Sequence, residues 1–260
     1  EALAKLESGI TVMFNGGTYE DYLNAMSRFH DYSYNNVMMI LMQRPSATRV
    51  AGMKTWNKMN RRVNKGEKAI KIFAPCIVKE EVENEDGTTE ERKKIVSFRL
   101  VPVFDISQTN GEELPSLTKT LEGEVENYLE LLNALKKISP VPVKFDLIRG
   151  TAHGFYSEEQ KLIVVDNDMS EQQTLKTMVH EIAHAKLHGR DDGLDDNTRE
   201  VQAESVAYVV LNYLGIDTSD YSFGYVAGWS SGKELPELKK SLEVIQKTSN
   251  SIIKDIENNA

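Results

Sequence analysis

The sequence has 260 residues, of which 40% are hydrophobic and 27% are charged. This composition is typical of a folded globular protein and excludes a disordered or fibrous chain. No apolar run approaches the ~18–20 residues that a membrane-spanning helix needs, so we expect no membrane association.

The formal net charge of −9 conceals an uneven distribution along the chain. Residues 1–79 contain 12 Lys and Arg against 6 Asp and Glu, a balance of +6, whereas the rest of the chain has a balance of −15. A basic block joined to an acidic block predicts two parts with different partners. The alternative is that charge fluctuates along any chain.

The N-terminus and the single cysteine bear on the compartment in which the protein works. Residues 1–5 contain no basic stretch followed by a hydrophobic core, so no signal peptide is predicted. Cys76, as the single cysteine, excludes an internal disulfide and fits a reducing environment. We therefore expect a cytoplasmic protein. The sequence lacks an initiator Met, which is compatible with a longer parent polypeptide.

The first half of the chain predicts helix followed by a long hairpin. Residues 19–43 have apolar positions at spacings of three and four, with a turn-forming interruption at residues 32–36 and an end at Pro45. Residues 69–104 contain two alternating segments around an Asp86-Gly87 turn signal, which predicts a β-hairpin.

A polar segment rich in turn formers, residues 105–120, separates the two halves. We place the boundary there, between a domain of residues 1–108 and one of residues 109–260. In the second domain, residues 122–138 predict an amphipathic helix and residues 155–165 a second, shorter hairpin. The C-terminal tail has apolar residues in near-heptad register, which predicts one helix or a helical pair.

The motif His180-Glu181-Ile182-Ala183-His184 lies in a predicted helix of residues 171–188, with a capping pattern from Ser170 and a stop at Gly189. Histidines four residues apart share a helix face with ~6 Å of axial rise, so both can bind one Zn²⁺. Glu181 lies beside them, where it can take a proton from a water that the metal activates. The alternative is a chance occurrence of the motif in a helix.

A third ligand would strengthen the metal hypothesis, and His188, Glu200 and Glu204 are the candidates. His188 stands ~12 Å along the axis from His180, too far for one ion, and we expect a cation at the helix end or a rim residue. Glu200 and Glu204 share one face of a second, mostly apolar predicted helix. Two acids there are costly to bury unless a cation or partner meets them, although a solvated acidic stripe is the alternative.

The motif followed by a helix with Glu-x-x-x-Asp/Glu resembles the gluzincin metallopeptidases. In that arrangement the first acid binds zinc and the second orients a ligating imidazole. The resemblance implies that Glu200 is the third ligand and that Glu204 orients His180 or His184, with the swapped assignment left open.

Substrate-binding groups are less well defined by the sequence. Residues 162–165 form either an edge strand that pairs with a substrate peptide or an interior strand. His153, Tyr208 and Tyr225 are nominees for the group that stabilises the oxyanion.

Cations alternate with aromatic side chains in residues 28–75. Single-strand binding without sequence preference uses such groups, because bases stack on rings and Lys or Arg follows the phosphates. The alternative is that the aromatic residues are core and the cations are merely solvated. The candidate DNA-binding residues are Tyr32, Tyr34, Asn35, Arg49, Lys54, Trp56, Arg61, Arg62, Lys65 and Lys68.

Several motifs in this half resemble the N-terminal domain of ArdC-type antirestriction proteins, which are encoded by plasmids and transposons. They are His-Asp-Tyr-Ser-Tyr-Asn-Asn at residues 30–36, residues 43–52, Trp56, residues 63–75 and residues 103–111. The resemblance implies a domain that binds single-stranded DNA. The chain departs from the family at Asn64 and Ala69, where Lys and Gly are expected, which removes one cation and one flexible position from the proposed DNA loop.

The second half resembles the zincin-like metallopeptidases of ImmA/IrrE and ArdC proteins, and the pairing resembles LtrC-like proteins of conjugative elements. We therefore expect an α+β protein with two domains: an N-terminal α/β domain of the single-strand-binding type with a long β-hairpin, and a C-terminal zincin-like domain of the gluzincin type. The implied function is a Zn²⁺-dependent peptidase, acting on a protein or peptide in transfer or protection of a bacterial mobile element. The alternative is a non-proteolytic antirestriction protein that binds single-stranded DNA and whose zinc site is structural or vestigial.

Overall fold

The structure is a computed structural model that describes residues 2–15, 17–83, 89–114, 126–189 and 192–259. In chain order the helices are α1 (Ala2–Asn15), α2 (Tyr19–Arg28), α3 (Tyr34–Gln43), α4 (Met53–Lys58), α5 (Glu126–Ile138), α6 (Glu171–Leu187), α7 (Asp196–Tyr213), α8 (Val226–Ser230) and α9 (Leu235–Glu257). The strands are β1 (Val50–Ala51), β2 (Arg61–Val63), β3 (Ile70–Glu83), β4 (Thr89–Asp105), β5 (Thr109–Gly111), β6 (Val143–Asp146), β7 (Gly154–Ser157) and β8 (Leu162–Asp166). The expected mixture of helices and separate small sheets, an α+β fold, is confirmed.

The chain divides into two compact units. Residues 35–114 form the inserted unit, and residues 1–34 together with 115–260 form the discontinuous unit. One junction falls inside the polar segment 105–120, where a boundary is expected. The other, between residues 34 and 35, has no counterpart in the predicted division at residue 108.

The long hairpin predicted from the sequence is the main feature of the inserted unit. Strands β3 and β4 pair antiparallel along their length, with a bulge between Cys76 and Ile77, and β1 pairs with the other edge of β4. The predicted Asp86-Gly87 turn lies outside the described residues. Strands β2 and β5 form a separate two-stranded ladder.

Two amides of α3 cover the free edge of β3. Asn36 accepts a hydrogen bond from the Phe73 amide at 2.8 Å and donates to the Phe73 carbonyl at 2.9 Å. Gln43 bonds in the same way to the amide and carbonyl of Lys71, at 2.9 and 2.8 Å. Since an uncovered strand edge is a template for pairing with other chains, these two side chains satisfy groups that a neighbouring strand would otherwise bind.

The Asp105-Ile-Ser-Gln motif after β4 organises the loops of the inserted unit. Asp105 is only 1% exposed, and its carboxylate accepts hydrogen bonds from the amides of Thr48 and Arg49 and from Ser107. The hydrogen bonds outweigh the effect of burial, which alone would raise the pKa, so the pKa of Asp105 is lowered. The carboxylate is therefore ionised in the fold and holds the loop before β1.

A small sheet and the helix α6 form one side of the discontinuous unit. The strand order is β6-β8-β7, with β6 parallel and β7 antiparallel to β8. The second predicted hairpin is confirmed as β7–β8. Of the two alternatives for residues 162–165, the interior strand is the correct one, because β8 is central and β7 is an edge of this sheet.

Helix α7 is the centre of the discontinuous unit, with α2, α6 and α9 packed around it. Nearly every side of α7 is buried, including residues 205–211. The predicted C-terminal helix is the single helix α9. Of the helices in the described ranges, none combines the length and apolar character needed to cross a membrane.

Polar contacts join α2 to α7. The Tyr19 hydroxyl lies 2.8 Å from Ser205 Oγ. The Tyr208 hydroxyl lies 3.0 Å from Asn24 Oδ1 and 3.2 Å from Glu20 Oε1, and both oxygens are acceptors for its one hydrogen. Because buried polar groups need partners, these bonds fix the orientation of α2 on α7.

Candidate metal centre

Helix α6 presents the histidines of the motif on one side because its other side is apolar. Met178, Val179, Ile182 and Ala183 are fully buried. The helix begins at the N-cap Ser170, whose side chain accepts a hydrogen bond from the Gln173 amide at 3.2 Å. It ends at Leu187, one residue before the predicted end.

His180, His184 and Glu200 come together between α6 and α7. The two imidazole Nε2 atoms lie 3.0 Å apart, and the Glu200 carboxylate oxygens lie 3.6 Å from His180 Nε2 and 3.3 Å from His184 Nε2. One donor atom from each residue falls within 4.8 Å of the other two. Two imidazole nitrogens and one carboxylate are the donor set of many catalytic zinc sites, so these residues can hold a divalent ion.

The charges of this cluster are coupled. Hydrogen bonds with His180 and His184 hold the pKa of Glu200 well below its usual range. Burial lowers the pKa of His180, but the nearby Glu200 and Glu181 outweigh it and leave this pKa raised. A carboxylate that is ionised at any physiological pH suits a metal ligand.

Glu181 lies beside the cluster and is only 7% exposed. Burial raises its pKa, and the backbone amide of Tyr156 in β7 hydrogen-bonds its carboxylate. The side chain therefore has a fixed position next to His180 and His184.

Glu200 and Glu204 of α7, whose roles the sequence leaves interchangeable, have different contacts in the structure. Glu200 contacts both imidazoles, whereas Glu204 accepts a hydrogen bond from the Tyr225 hydroxyl. Glu204 is the residue expected to orient one of these imidazoles. The Nδ1 atom of His184 has a different neighbour, and lies 3.1 Å from Nδ1 of His188.

His188 differs from both expectations for it. It is 8% exposed, and burial lowers its pKa, so it is neither a rim residue nor a cation at the helix end. The reason is that α6 stops at Leu187 and His188 has an extended backbone, which directs the chain away from the helical row.

A cleft of about 330 Å³ opens next to the cluster. The residues that line it come from α6, from β7 and the residue before it, from α7 and from the segment after α7: His153, Gly154, Gln173, Lys176, Thr177, His180, Glu181, Glu204, Asp220 and Tyr221.

Gly154 is the point of closest approach between β7 and α6. A Cβ atom at this position would lie 2.5 Å from Thr177 Cγ2 and 3.0 Å from the Val164 carbonyl oxygen. The absence of a side chain therefore lets β7 lie close enough for Tyr156 to reach Glu181.

The three residues that the sequence suggests for stabilising the oxyanion have different surroundings. His153 lines the cleft, and Tyr225 bonds to the cleft residue Glu204. Tyr208 hydrogen-bonds Glu20 and Asn24 of α2 and is not among the residues that line the cleft.

Sequence reasoning missed a buried cation in the cleft wall. Lys176 precedes His180 by one helical turn, its side chain is 7% exposed, and its ammonium lies 2.5 Å from a carboxylate oxygen of the exposed Asp220. The four-residue spacing from His180 is the signal that could have found it. The partner Asp220 is not foreseeable, because it follows 44 positions later.

The candidate DNA-binding residues have three kinds of environment. Exposed cations of the inserted unit are Lys54, Arg62, Lys65 and Lys68. Partly buried residues are Asn35, Arg49 and Arg61 in the inserted unit and Tyr32 and Tyr34 in the discontinuous unit. Trp56 is fully buried.

Two of these residues have structural partners that limit contact with a ligand. The Trp56 indole N–H donates to the Phe104 carbonyl at 2.9 Å, and its buried ring has no face on which a base can stack. The Arg61 guanidinium bonds to Thr109 Oγ1 at 2.8 Å and also to backbone carbonyls of β5 and Glu112.

A surface groove of about 630 Å³ in the inserted unit contains two of the candidates. It is lined by Met53, Asn57, Asn60, Arg61, Arg62 and Val63. The combination of an exposed guanidinium, amides and a methionine offers donors for phosphate and an apolar surface for a base.

The two halves of the chain match different protein-family models. Residues 3–104 match the model for the N-terminal domain of anti-restriction factor ArdC, and residues 141–244 match that for the IrrE N-terminal-like domain of Peptidase_M78. A relative in Bacillus anthracis, described as uncharacterized protein pXO2-81, is 33% identical over 99% of this chain. The chain spans 51% of that relative's length.

Two solved structures share the fold. The metal-free structure of antirestriction protein ArdC from the R388 plasmid aligns with a TM-score of 0.55 and 18% identity, over 87% of this chain and 85% of that one. The Mn(II)-bound structure of ArdC gives a TM-score of 0.52 and 17% identity, over 86% and 83%. These likenesses extend over both halves of the chain.

Proposed function

The chain joins an ArdC-type N-terminal domain to an IrrE-like domain of the Peptidase_M78 family, and on this premise we propose that it is a zinc-dependent peptidase that also binds single-stranded DNA. The supporting observation is the cluster of His180, His184 and Glu200 with Glu181 beside it, next to a cleft. The solved Mn(II)-bound ArdC, although distant in sequence, is a structural neighbour that holds a divalent metal.

Bound by His180, His184 and Glu200, a divalent ion would polarise a peptide carbonyl and acidify a water molecule. Glu181 serves as the general base and takes the proton of the attacking water. Its raised pKa lets the carboxyl group return that proton to the leaving amine. The Tyr156 amide keeps the carboxylate in place between these two steps.

The substrate peptide pairs with the edge of β7 that faces away from β8. The Asp166 amide donates to the His153 carbonyl at 2.9 Å, and bonds of an antiparallel ladder alternate along a strand. The backbone groups of Gly154 and Tyr156 therefore point away from β8. The Tyr156 amide is already hydrogen-bonded to Glu181. Gly154 is left to bond a substrate backbone beside the cluster.

An enzymatic role is favoured over a structural metal because the described residues bring three donors together next to a cleft. Structural zinc is closed by four protein ligands, whereas catalytic zinc keeps one position for water or substrate. His153 in the cleft wall supplies a donor for the developing oxyanion.

The inserted unit supplies the DNA-binding surface. Its exposed Arg62, Lys65 and Lys68 carry charges that follow phosphates, next to the groove that contains Asn57 and Asn60. We assign the whole protein to transfer or protection of a bacterial mobile element, a setting consistent with the plasmid origin of the ArdC structures.

A peptide-library assay tests the peptidase proposal and locates the cleaved bonds in the same measurement. A mixture of bacterial peptides is incubated with the full chain and Zn²⁺, and new termini are identified by mass spectrometry. Cleavages made by the wild type should fall by ~10²–10⁴-fold in Glu181→Gln. The same cleavage pattern in both proteins would contradict the role of Glu181, and no cleavage by either would favour the non-proteolytic alternative.

A further inference from the structure

His188 is a buried histidine behind the metal cluster that the proposed chemistry does not use. It follows α6 as the C-cap residue, and its amide donates to the His184 carbonyl at 2.9 Å. Its ring lies 5.2 Å from that of His184, between centroids. His184 is therefore the residue that connects His188 to the cluster.

Both ring nitrogens of His188 have partners. Nδ1 lies 3.1 Å from Nδ1 of His184, and Nε2 lies 3.2 Å from Oε1 of Gln202 in α7. The Gln202 amide nitrogen in turn donates to Ser241 Oγ of α9 at 3.0 Å. A series of four side chains thus connects α6, α7 and α9, and its members Gln202 and Ser241 are 4% and 5% exposed.

With the Gln202 amide oriented so that its nitrogen donates to Ser241, the chemistry of these groups sets the direction of every other hydrogen bond. An amide oxygen only accepts, so Nε2 of His188 carries the hydrogen. A neutral imidazole has one donor and one acceptor nitrogen, so Nδ1 of His188 accepts. The hydrogen between the two Nδ1 atoms then belongs to His184, which leaves a lone pair on Nε2 of His184.

That lone pair is directed at the cluster, since Nε2 of His184 is the atom that faces Glu200 and His180. We infer that His188 is a positioning residue, which fixes the tautomer and ring orientation of His184 through the Nδ1–Nδ1 hydrogen bond. This inference rests on the proposed metal site. A neutral imidazole here does what a carboxylate or carbonyl does behind most ligating histidines.

The orientation of the Gln202 amide determines the direction of these hydrogen bonds, so substitutions of Gln202 test the inference most directly. A reversed amide would present hydrogens to His188, invert each bond, and place the hydrogen of His184 on Nε2, where it blocks metal binding. Gln202→Glu can only accept from His188, so it keeps the required direction. Gln202→Leu removes the acceptor.

The experiment measures the dissociation constant of Zn²⁺ for the full chain by competition with a chromophoric chelator. Variants are His188→Phe, Gln202→Leu and Gln202→Glu. His30→Phe is the matched control, because His30 is also buried but contacts Asn250 and Tyr213, away from the cluster. The unfolding midpoint of each metal-free protein and the visible absorption of bound Co²⁺ are recorded in parallel.

We expect His188→Phe and Gln202→Leu to weaken Zn²⁺ binding by ~10–100-fold and to alter the Co²⁺ spectrum. Gln202→Glu and His30→Phe should keep the affinity of the wild type. If His188→Phe does not fold, the contrast between Gln202→Leu and Gln202→Glu decides, because both leave His188 in place.

The outcomes separate this inference from the proposed function. Wild-type affinity and spectrum in folded His188→Phe and Gln202→Leu overturn the positioning role alone. Failure of the wild type to bind Zn²⁺ overturns the metal site and the inference with it. Metal binding that responds as expected, without any peptide cleavage, supports the inference and counts only against the peptidase.

Discussion

Glu200 places one carboxylate oxygen 3.3 Å from Nε2 of His184. Glu204, one turn further along α7, accepts a hydrogen bond from Tyr225 instead. The two acids share a helix face, yet only the first is within reach of both imidazoles. Their roles can therefore be separated by substitution.

Metal affinity should depend on Glu200 far more than on Glu204. Glu200→Gln removes a ligand and should weaken Zn²⁺ binding by more than the ~10–100-fold expected for groups behind ligands. Glu204→Gln, its matched control, should bind Zn²⁺ nearly as the wild type does. Chelator competition on both variants measures this, and the opposite ranking would assign the ligand role to Glu204.

Gly154→Ala should destabilise the discontinuous unit, because the new Cβ would lie 2.5 Å from Thr177 Cγ2. We expect a loss of ~1–3 kcal/mol of unfolding free energy, typical of overpacking. Peptide cleavage should fall as well, since β7 must move and carries the Tyr156 amide away from Glu181. Gly232→Ala is the control, because a Cβ there meets no atom within 4 Å. Equal thermal midpoints for the two variants would contradict the close approach.

DNA affinity should depend on the exposed cations of the inserted unit. The triple substitution of Arg62, Lys65 and Lys68 by Ala should weaken binding of single-stranded DNA and reduce the salt slope by up to ~2, at about 0.7 per phosphate contact. Fluorescence anisotropy of a labelled oligonucleotide between low and high salt measures both quantities.

Substitution of Lys137, Lys240 and Lys247 by Ala serves as the control for the DNA experiment. These lysines are exposed in the discontinuous unit, and their removal changes the net charge by the same amount. If both triple variants lost the same affinity and slope, the effect would be one of overall charge and not of a defined surface.

Stability of the inserted unit should depend on pH through Asp105. Its pKa is lowered in the fold from the ordinary value of 3.8, so the carboxylate stabilises the fold above that value and ceases to do so as the pH falls through the folded pKa. Asp105→Asn should cost about 3 kcal/mol at pH 7, because an amide NH₂ then faces backbone donors.

The penalty of Asp105→Asn should shrink as the pH falls below ~4. Urea unfolding followed by tryptophan fluorescence measures it, with Trp229 replaced by Phe so that the buried Trp56 reports on the inserted unit alone. A penalty that stays constant from pH 7 to pH 3 would show that the ionised carboxylate is not what stabilises the loops.

Local features of the fold are predictable because they depend on near neighbours in the chain. The bounds of α6 follow from Ser170 and from apolar spacing, and the β3–β4 hairpin follows from alternation. The approach of His180 and His184 is a consequence of helix geometry alone. The resemblances to the ArdC N-terminal domain and to the IrrE-like peptidases predict the two family models that the chain matches.

Contacts between segments that are distant in the sequence cannot be predicted from local sequence patterns. The spacing of His188 predicts a member of a helical row, whereas α6 ends before it and Gln202 determines its role. The pattern around Trp56 leaves open whether the ring is exposed for DNA or part of the core, because nothing local shows that its indole meets the Phe104 carbonyl 48 positions away. Helix α7 is buried on nearly every side, so periodicity cannot tell which of its faces holds Glu200 to the imidazoles.

The order of segments in the discontinuous unit has a consequence for biosynthesis and for dissection of the protein. Residues 35–114 are contiguous and are synthesised before α7 and α8, the helices on which α2 and α1 pack, respectively. A fragment cut at residue 104, the limit of the ArdC-type match, would carry α1 and α2 without their partners. Removal of residues 35–114 takes away the inserted unit as a whole and keeps in one chain both Tyr19 and its partner Ser205, which lies in the helix that bears Glu200.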